Sequence, residues 1–160
     1  MFGTTQSHRY HGDFCSAVMA ALLLAAIGCN NSKFEFAEVQ GSVTLDGQPV
    51  PEAKVVYMPV ASNDDGEAGP YSQGVTDAEG RYTLKSVEPS PHKGAVVGQH
   101  KIVVSTKRAH LDPDKLDVEI IDSPETIPRQ YTYYKRTPLT FEVPSGGTEI
   151  ADFQLTSSRR

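Results

Sequence analysis

Gly41-Ser-Val-Thr-Leu-Asp-Gly-Gln-Pro-Val50, followed by Ala53-Lys-Val-Val-Tyr-Met-Pro59 and Gly74-Val-Thr-Asp-Ala-Glu-Gly-Arg-Tyr82, decides the fold. Val39, Gly41, Val43 and Leu45 alternate with Gln40, Ser42 and Thr44, the two-residue period of a strand with one wet face. Asp46-Gly47 then turns the chain, because both residue types tolerate the positive φ of a tight hairpin. Ala53 to Pro59 reads as the returning strand, ended by a proline that cannot donate to the ladder. Tyr71 to Thr76 and Arg81 to Lys85 flank Asp77-Ala78-Glu79-Gly80, where Asp77 can bond the turn backbone and Gly80 can take positive φ.

Further along, Gly98 to Thr106 sets His100, Ile102 and Val104 against Lys101, Val103 and Ser105. Leu139, Phe141 and Val143 predict another strand, and Ala151, Phe153 and Leu155 one more after the Ser145-Gly146-Gly147 turn. Ala61 to Pro70 reads as an acidic, solvated loop. Lys107 to Pro128 is polar and acidic, with Pro113, Pro124 and Pro128 and no period; Val118 to Ile121 predicts a brief edge strand within it. No window carries a sustained helical period. Seven short strands joined by turn signals predict an all-β, two-sheet sandwich over residues 39–156, and the length suits one such domain. Residues 157–160 are left as a polar tail.

The N-terminus has a different texture. The apolar run Phe14 to Ile27 is too short for a membrane span, which needs about 20 residues, and suits the h-region of a secretory signal. Ala25-Ala26-Ile27-Gly28-Cys29 resembles the lipobox of bacterial lipoproteins. That resemblance implies a signal peptide over 1–28, cleavage between Gly28 and Cys29, lipid on Cys29, and a tether over 29–38. Asn30, where an Asp would retain some lipoproteins at the inner membrane, favours export to the outer one. The protein is thereby expected in the cell envelope, membrane-anchored at the periplasmic face or outer membrane. Cleavage also removes Cys15, so no disulfide within the chain is expected. Arg9 and Asp13 cancel, and the formal charge of -5 stays with the rest. An acidic chain without a basic block argues against nucleic acid as a partner.

The three stretches quoted first resemble the carboxypeptidase regulatory-like domain. Gly94-Ala-Val-Val-Gly98, Lys101-Ile-Val-Val104, Ile127-Pro-Arg-Gln-Tyr131 and Leu139-Thr-Phe-Glu-Val143 resemble, more narrowly, small bacterial lipoproteins built from that one domain. The resemblance implies a seven-stranded transthyretin-like (prealbumin-like, Greek-key) β-sandwich. Members of the wider family are accessory, adhesive or spacer modules, so it implies a non-catalytic structural or interaction role. The partner implied, besides the membrane, is another envelope protein or a surface polymer.

Catalytic chemistry finds little purchase. A transthyretin-like hydrolase would want a C-terminal Tyr-Arg-Gly-Ser, and this chain ends Thr156-Ser-Ser-Arg-Arg160. Iron held by two Tyr and two His would draw on Tyr131, Tyr133 and Tyr134 with His92, His100 and His110, since His8 and His11 leave with the signal peptide, but these three include no closely spaced His pair. Asn63 to Glu67, and Asp112, Asp114, Asp117, Glu119 and Asp122, are oxygen-rich without matching a calcium-loop pattern. Lys54 with Asp152 and Glu142 offers the residue types of a side-chain cross-link. No catalytic residue, metal ligand or cofactor is therefore assigned, and a metal-dependent binder or enzyme on these His, Tyr or acidic residues stands as the alternative. The candidate interaction surface is Tyr131, Tyr133, Tyr134, Lys135 and Arg136, because Tyr and Arg combine large contact area with a polar handle. One or two of these tyrosines capping the end of the sandwich is the competing reading.

Overall fold

The alternating stretches become strands, and there is no helix, in the residues described by a computed structural model: Gly3, 32–61, 66–87, 91–115 and 117–157. The signal segment and Cys29 lie outside the described residues. In chain order the strands are β1 (Phe36–Ala37), β2 (Gln40–Leu45), β3 (Gln48–Pro49), β4 (Lys54–Pro59), β5 (Ser72–Val75), β6 (Arg81–Thr83) and β7 (Lys85–Ser86). They continue with β8 (Ala95–Val96), β9 (Gly98–Ser105), β10 (Arg108–Leu111), β11 (Glu119–Ser123), β12 (Thr140–Val143) and β13 (Phe153–Leu155).

Two open sheets share one core, giving a β-sandwich-like arrangement. The first runs β12-β9-β4-β5-β7, antiparallel throughout. The second runs β13-β2-β3, with β6 also on β2 and β13 parallel to it. One sequence run supplies both sheets: β6 pairs with β2, Leu84 is wholly buried, and β7 then joins β5. The predicted strand Arg81 to Lys85 is thus divided where the chain crosses the core. Val39, Val43, Val55, Tyr57, Tyr82, Ile102, Val104, Val143, Phe153 and Leu155 fill the space between the sheets. Burying such side chains contributes about 1.5–3 kcal/mol each against leaving them in water.

Gly41 is required by a close approach. A Cβ there would lie 2.0 Å from the Ala151 carbonyl oxygen, so the segment entering β13 could not be approached this tightly by any other residue. Beside it Asp152 Oδ1 accepts from the Ser42 amide at 2.7 Å and the Ser42 hydroxyl at 2.8 Å, replacing a backbone acceptor where the parallel pairing is interrupted.

Three sequence expectations are corrected. The strand returning from Asp46-Gly47 is β3, not Ala53 to Pro59, which crosses to the other sheet as β4 between β5 and β9. Residues 33–38, assigned to the tether, are already tied to the domain: β1 pairs with β8, Val97 N donates to Glu35 O at 2.9 Å, and Phe36 stacks on His92 at 4.3 Å. Gly94 permits this pairing, with φ of 86° and a Cβ position 1.8 Å from Ala37 O. The stretch 107–128 is not an unstructured connection carrying one edge strand. It folds back as a two-stranded hairpin of β10 and β11, which pair with each other and with no other strand among the described residues.

Candidate functional site

The segment from Pro128 to Leu139 is bolted to the edge of β9 at three points, the last being Leu139 O, which accepts from Ile102 N at 3.0 Å. Tyr131 O accepts from Val104 N at 3.0 Å, and the Thr137 hydroxyl donates to Ile102 O at 2.6 Å. Both side chains are buried. This corrects the sequence assignment of Tyr131 to a contact surface: its ring belongs to the core, with its hydroxyl 3.4 Å from that of Thr156. Between the first two bolts the chain makes a tight turn, in which Arg136 N and Thr137 N both donate to Tyr133 O at 2.9 Å. The turn presents Tyr133, Tyr134, Lys135 and Arg136 to solvent, with Tyr133 52% and Tyr134 42% exposed.

Cations gather around those rings. Lys101 Nζ lies 5.2 Å from the centre of the Tyr134 ring, and the Arg129 guanidinium 5.5 Å from that of Tyr133, both within cation–π range. The ion pairs among the described residues engage Lys33, Arg81, Lys93, Lys107, Arg108 and His110. Lys101, Arg129, Lys135 and Arg136 are in none of them. On an acidic chain, two cations thus lie over the two exposed tyrosines and two more follow them in the turn, none in an ion pair among the described residues.

The second exposed feature is the hairpin. Every described residue of β10 and β11 except Ser123 is exposed, including Leu111, Ile120 and Ile121, and Val118 beside them. Its base is clamped. Glu125 accepts from the Ser105 hydroxyl at 2.5 Å, from the amide and hydroxyl of Thr106 at 3.0 Å, and from Ile127 N at 2.9 Å. Partial burial pushes the Glu125 carboxyl up, but these donors outweigh it and leave it below the usual glutamate value. Arg108 reaches Glu52 at 2.5 Å and Lys107 reaches Glu119 at 2.8 Å. Of this arm the sequence signals only the edge strand at Val118 to Ile121; both its faces meet water, so burial leaves no period that would reveal its partner strand.

The residues weighed for chemistry do not converge. His92 stacks on Phe36, His110 Nδ1 meets Asp122 at 2.9 Å on the hairpin, and His100 is buried beside Tyr57, their ring centres 5.6 Å apart. His100 Nδ1 bonds Gly98 O at 2.9 Å, which makes Nδ1 the protonated nitrogen and leaves Nε2 buried without a partner. Burial holds its pKa below the ordinary histidine value. Asp112 caps the Asp114 amide, Glu119 and Asp122 have the partners just named, and no group of three such ligands assembles among the described residues. Asn63, Asp64 and Asp65 lie outside the described residues; Glu67 pairs with Lys33. Of the cross-link candidates, exposed Lys54 lies opposite Val75 and Ser105, Asp152 holds Ser42, and Glu142 accepts from the Gln99 amide.

A polar groove lies along β2 and β6, lined by Ser42, Asp77, Arg81, Thr83, Glu149 and Asp152. Its charges are engaged locally: Asp77 accepts from the Arg81 amide at 2.8 Å and from Arg81 Nε at 3.0 Å, and Arg81 also meets Glu79 at 2.9 Å. The groove is built from the Asp77–Arg81 turn and the β2 and β6 strands beside it.

No family model matches the chain, and no curated protein matches it. Among solved structures it is similar to a 9R-lipoxygenase from Cyanothece PCC8801, at 16% identity and a TM-score of 0.36, over 76% of this chain and 16% of the lipoxygenase. The chain thus spans about a sixth of that enzyme's length, and a likeness at this level carries no argument.

Proposed function

We propose that this chain is a lipid-anchored cell-envelope protein, held at Cys29, whose transthyretin-like sandwich of seven principal strands serves as a non-catalytic contact module for another envelope protein. The observation that carries the contact role is the β10–β11 hairpin. An isolated two-stranded ribbon is marginally stable in water, and exposed apolar surface marks protein contacts. Here such a ribbon is clamped at its base by Glu125 and extends Leu111, Val118, Ile120 and Ile121 into solvent. The anchor is supported by the apolar run ending in Gly28-Cys29.

A photo-reactive residue placed at Ile121 in intact cells tests the contact role, with the exposed Lys85 as control position. A discrete adduct from position 121 and none from position 85 is expected. Adducts from both alike, or from neither, contradict the reading.

A further inference from the structure

The tyrosine turn fits a different partner from the hairpin. We propose that Tyr133, Tyr134, Lys135 and Arg136, with Lys101 and Arg129, dock the sandwich onto an anionic lipid headgroup surface.

Three observations carry this. First, the turn is presented rigidly, since Tyr131 and Thr137 fix both its ends to β9, so little order must be gained on binding. Second, its chemistry matches a headgroup layer: four cations outside every ion pair among the described residues, interleaved with two half-exposed tyrosines whose rings suit the boundary between water and acyl chains. On the same face, Glu142 engages the Gln99 amide.

Third, the chain enters the domain beside the turn. Lys33 and Gln99 line one small groove, and Gln99 and Lys101 are two residues apart on β9, so they point to the same face. Lys101 in turn underlies Tyr134. Lys33 follows Cys29 by four residues, a reach of at most about 14 Å when fully extended. The orientation on the membrane rests on the anchor proposed at Cys29; the attraction to headgroups does not.

Residues 33–160 contain every core residue among the described ones, from Ala37 to Leu155, and lack Cys29, so they test the surface alone. The chain has no tryptophan, and Tyr133→Trp therefore gives a single fluorescent reporter. Titration with phosphatidylglycerol vesicles is expected to shift its emission to the blue and saturate, with no shift on phosphatidylcholine. Removing a basic residue near an anionic surface weakens attraction roughly fivefold, so Lys135→Ala with Arg136→Ala should weaken binding roughly 25-fold with an unchanged denaturation midpoint. Added salt should weaken it as well. An unshifted spectrum, equal response to both lipids, indifference to the double substitution, or binding to dextran sulfate without binding to vesicles would each overturn the proposal. Vesicle binding by this fragment together with failure of Cys29 to acquire lipid would sink the anchor and leave the surface standing.

Discussion

The Tyr57 hydroxyl donates to that of Tyr82 across the core at 2.8 Å, and Tyr82 donates onward to the Ala151 carbonyl at 2.5 Å. The second bond fixes the direction of the first, since Tyr82 has one proton to give. Tyr57 stands on the β9–β4 sheet and Tyr82 on the strand beside β2, so this relay joins the two sheets where both rings are buried. Burial, before any other cause, raises both phenols far above their usual titration, and they stay protonated at every working pH.

The relay predicts unequal effects from equal deletions. Tyr57→Phe removes a donor and leaves Tyr82 bonded to Ala151, costing about 0.5–1.5 kcal/mol. Tyr82→Phe strands both the Tyr57 hydroxyl and the Ala151 carbonyl, costing about 2–3 kcal/mol. The double variant should cost less than the sum, because the pair is coupled. Urea denaturation of the four proteins measures all three values; strict additivity would show that the two hydroxyls do not interact.

Glu125 makes the hairpin base sensitive to acid. Its folded pKa is lowered, so its contribution is complete above the ordinary glutamate value of 4.5 and is lost as pH falls through the folded value. Glu125→Gln should cost about 1 kcal/mol near neutral pH, the largely exposed carboxylate being screened by water, and should flatten the acid side of the stability curve. Denaturation midpoints followed from neutral to acid pH check this. A steeper acid loss in the variant would refute the clamp.

His100 should act at milder pH. Above the ordinary value of 6.5 the ring is neutral in both folded and unfolded chains, and pH has no leverage through it. Below 6.5 the unfolded chain takes up the proton first, because burial lowers the folded pKa, so stability falls with pH until the folded value is passed. The Gly98 carbonyl and the Glu142 charge oppose the shift without cancelling it. His100→Phe should therefore lose less stability than the wild type between about pH 7 and about pH 5. An equal loss in both proteins would mean that the ring takes up its proton without unfolding.

The sandwich was legible wherever one face of a strand is dry. Val39 to Leu45 and Ala53 to Pro59 carry the two-residue period because burial on alternate side chains imprints it, Gly98 to Thr106 keeps it except at Val103, which is buried as well, and Asp77 and Gly80 form the turn their chemistry predicts. His100 likewise sits at a core position, as its alternation with Lys101 implies. The hairpin shows only its edge strand, Val118 to Ile121, and hides the pairing with Arg108 to Leu111 for the converse reason: Ile120 and Ile121 are adjacent, both exposed, and no buried face selects between them. In Tyr131-Thr-Tyr-Tyr134 a turn without a fixed period sends the first ring inward and the others out, and the hydrogen bonds of Tyr131 and Thr137 that decide this join residues far apart in sequence. Tyr57 and Tyr82 could be read as inward-facing, but not as partners. The tether was read too long because β1 is too short to show a period and is held by pairing with β8.

The central claim is that Cys29 fixes this sandwich to a membrane, and it is tested most directly by labelling growing cells with a radiolabelled fatty acid and recovering the protein from wild type and from Cys29→Ala. Label on the wild-type protein and none on the variant is predicted; equal labelling of both would contradict it.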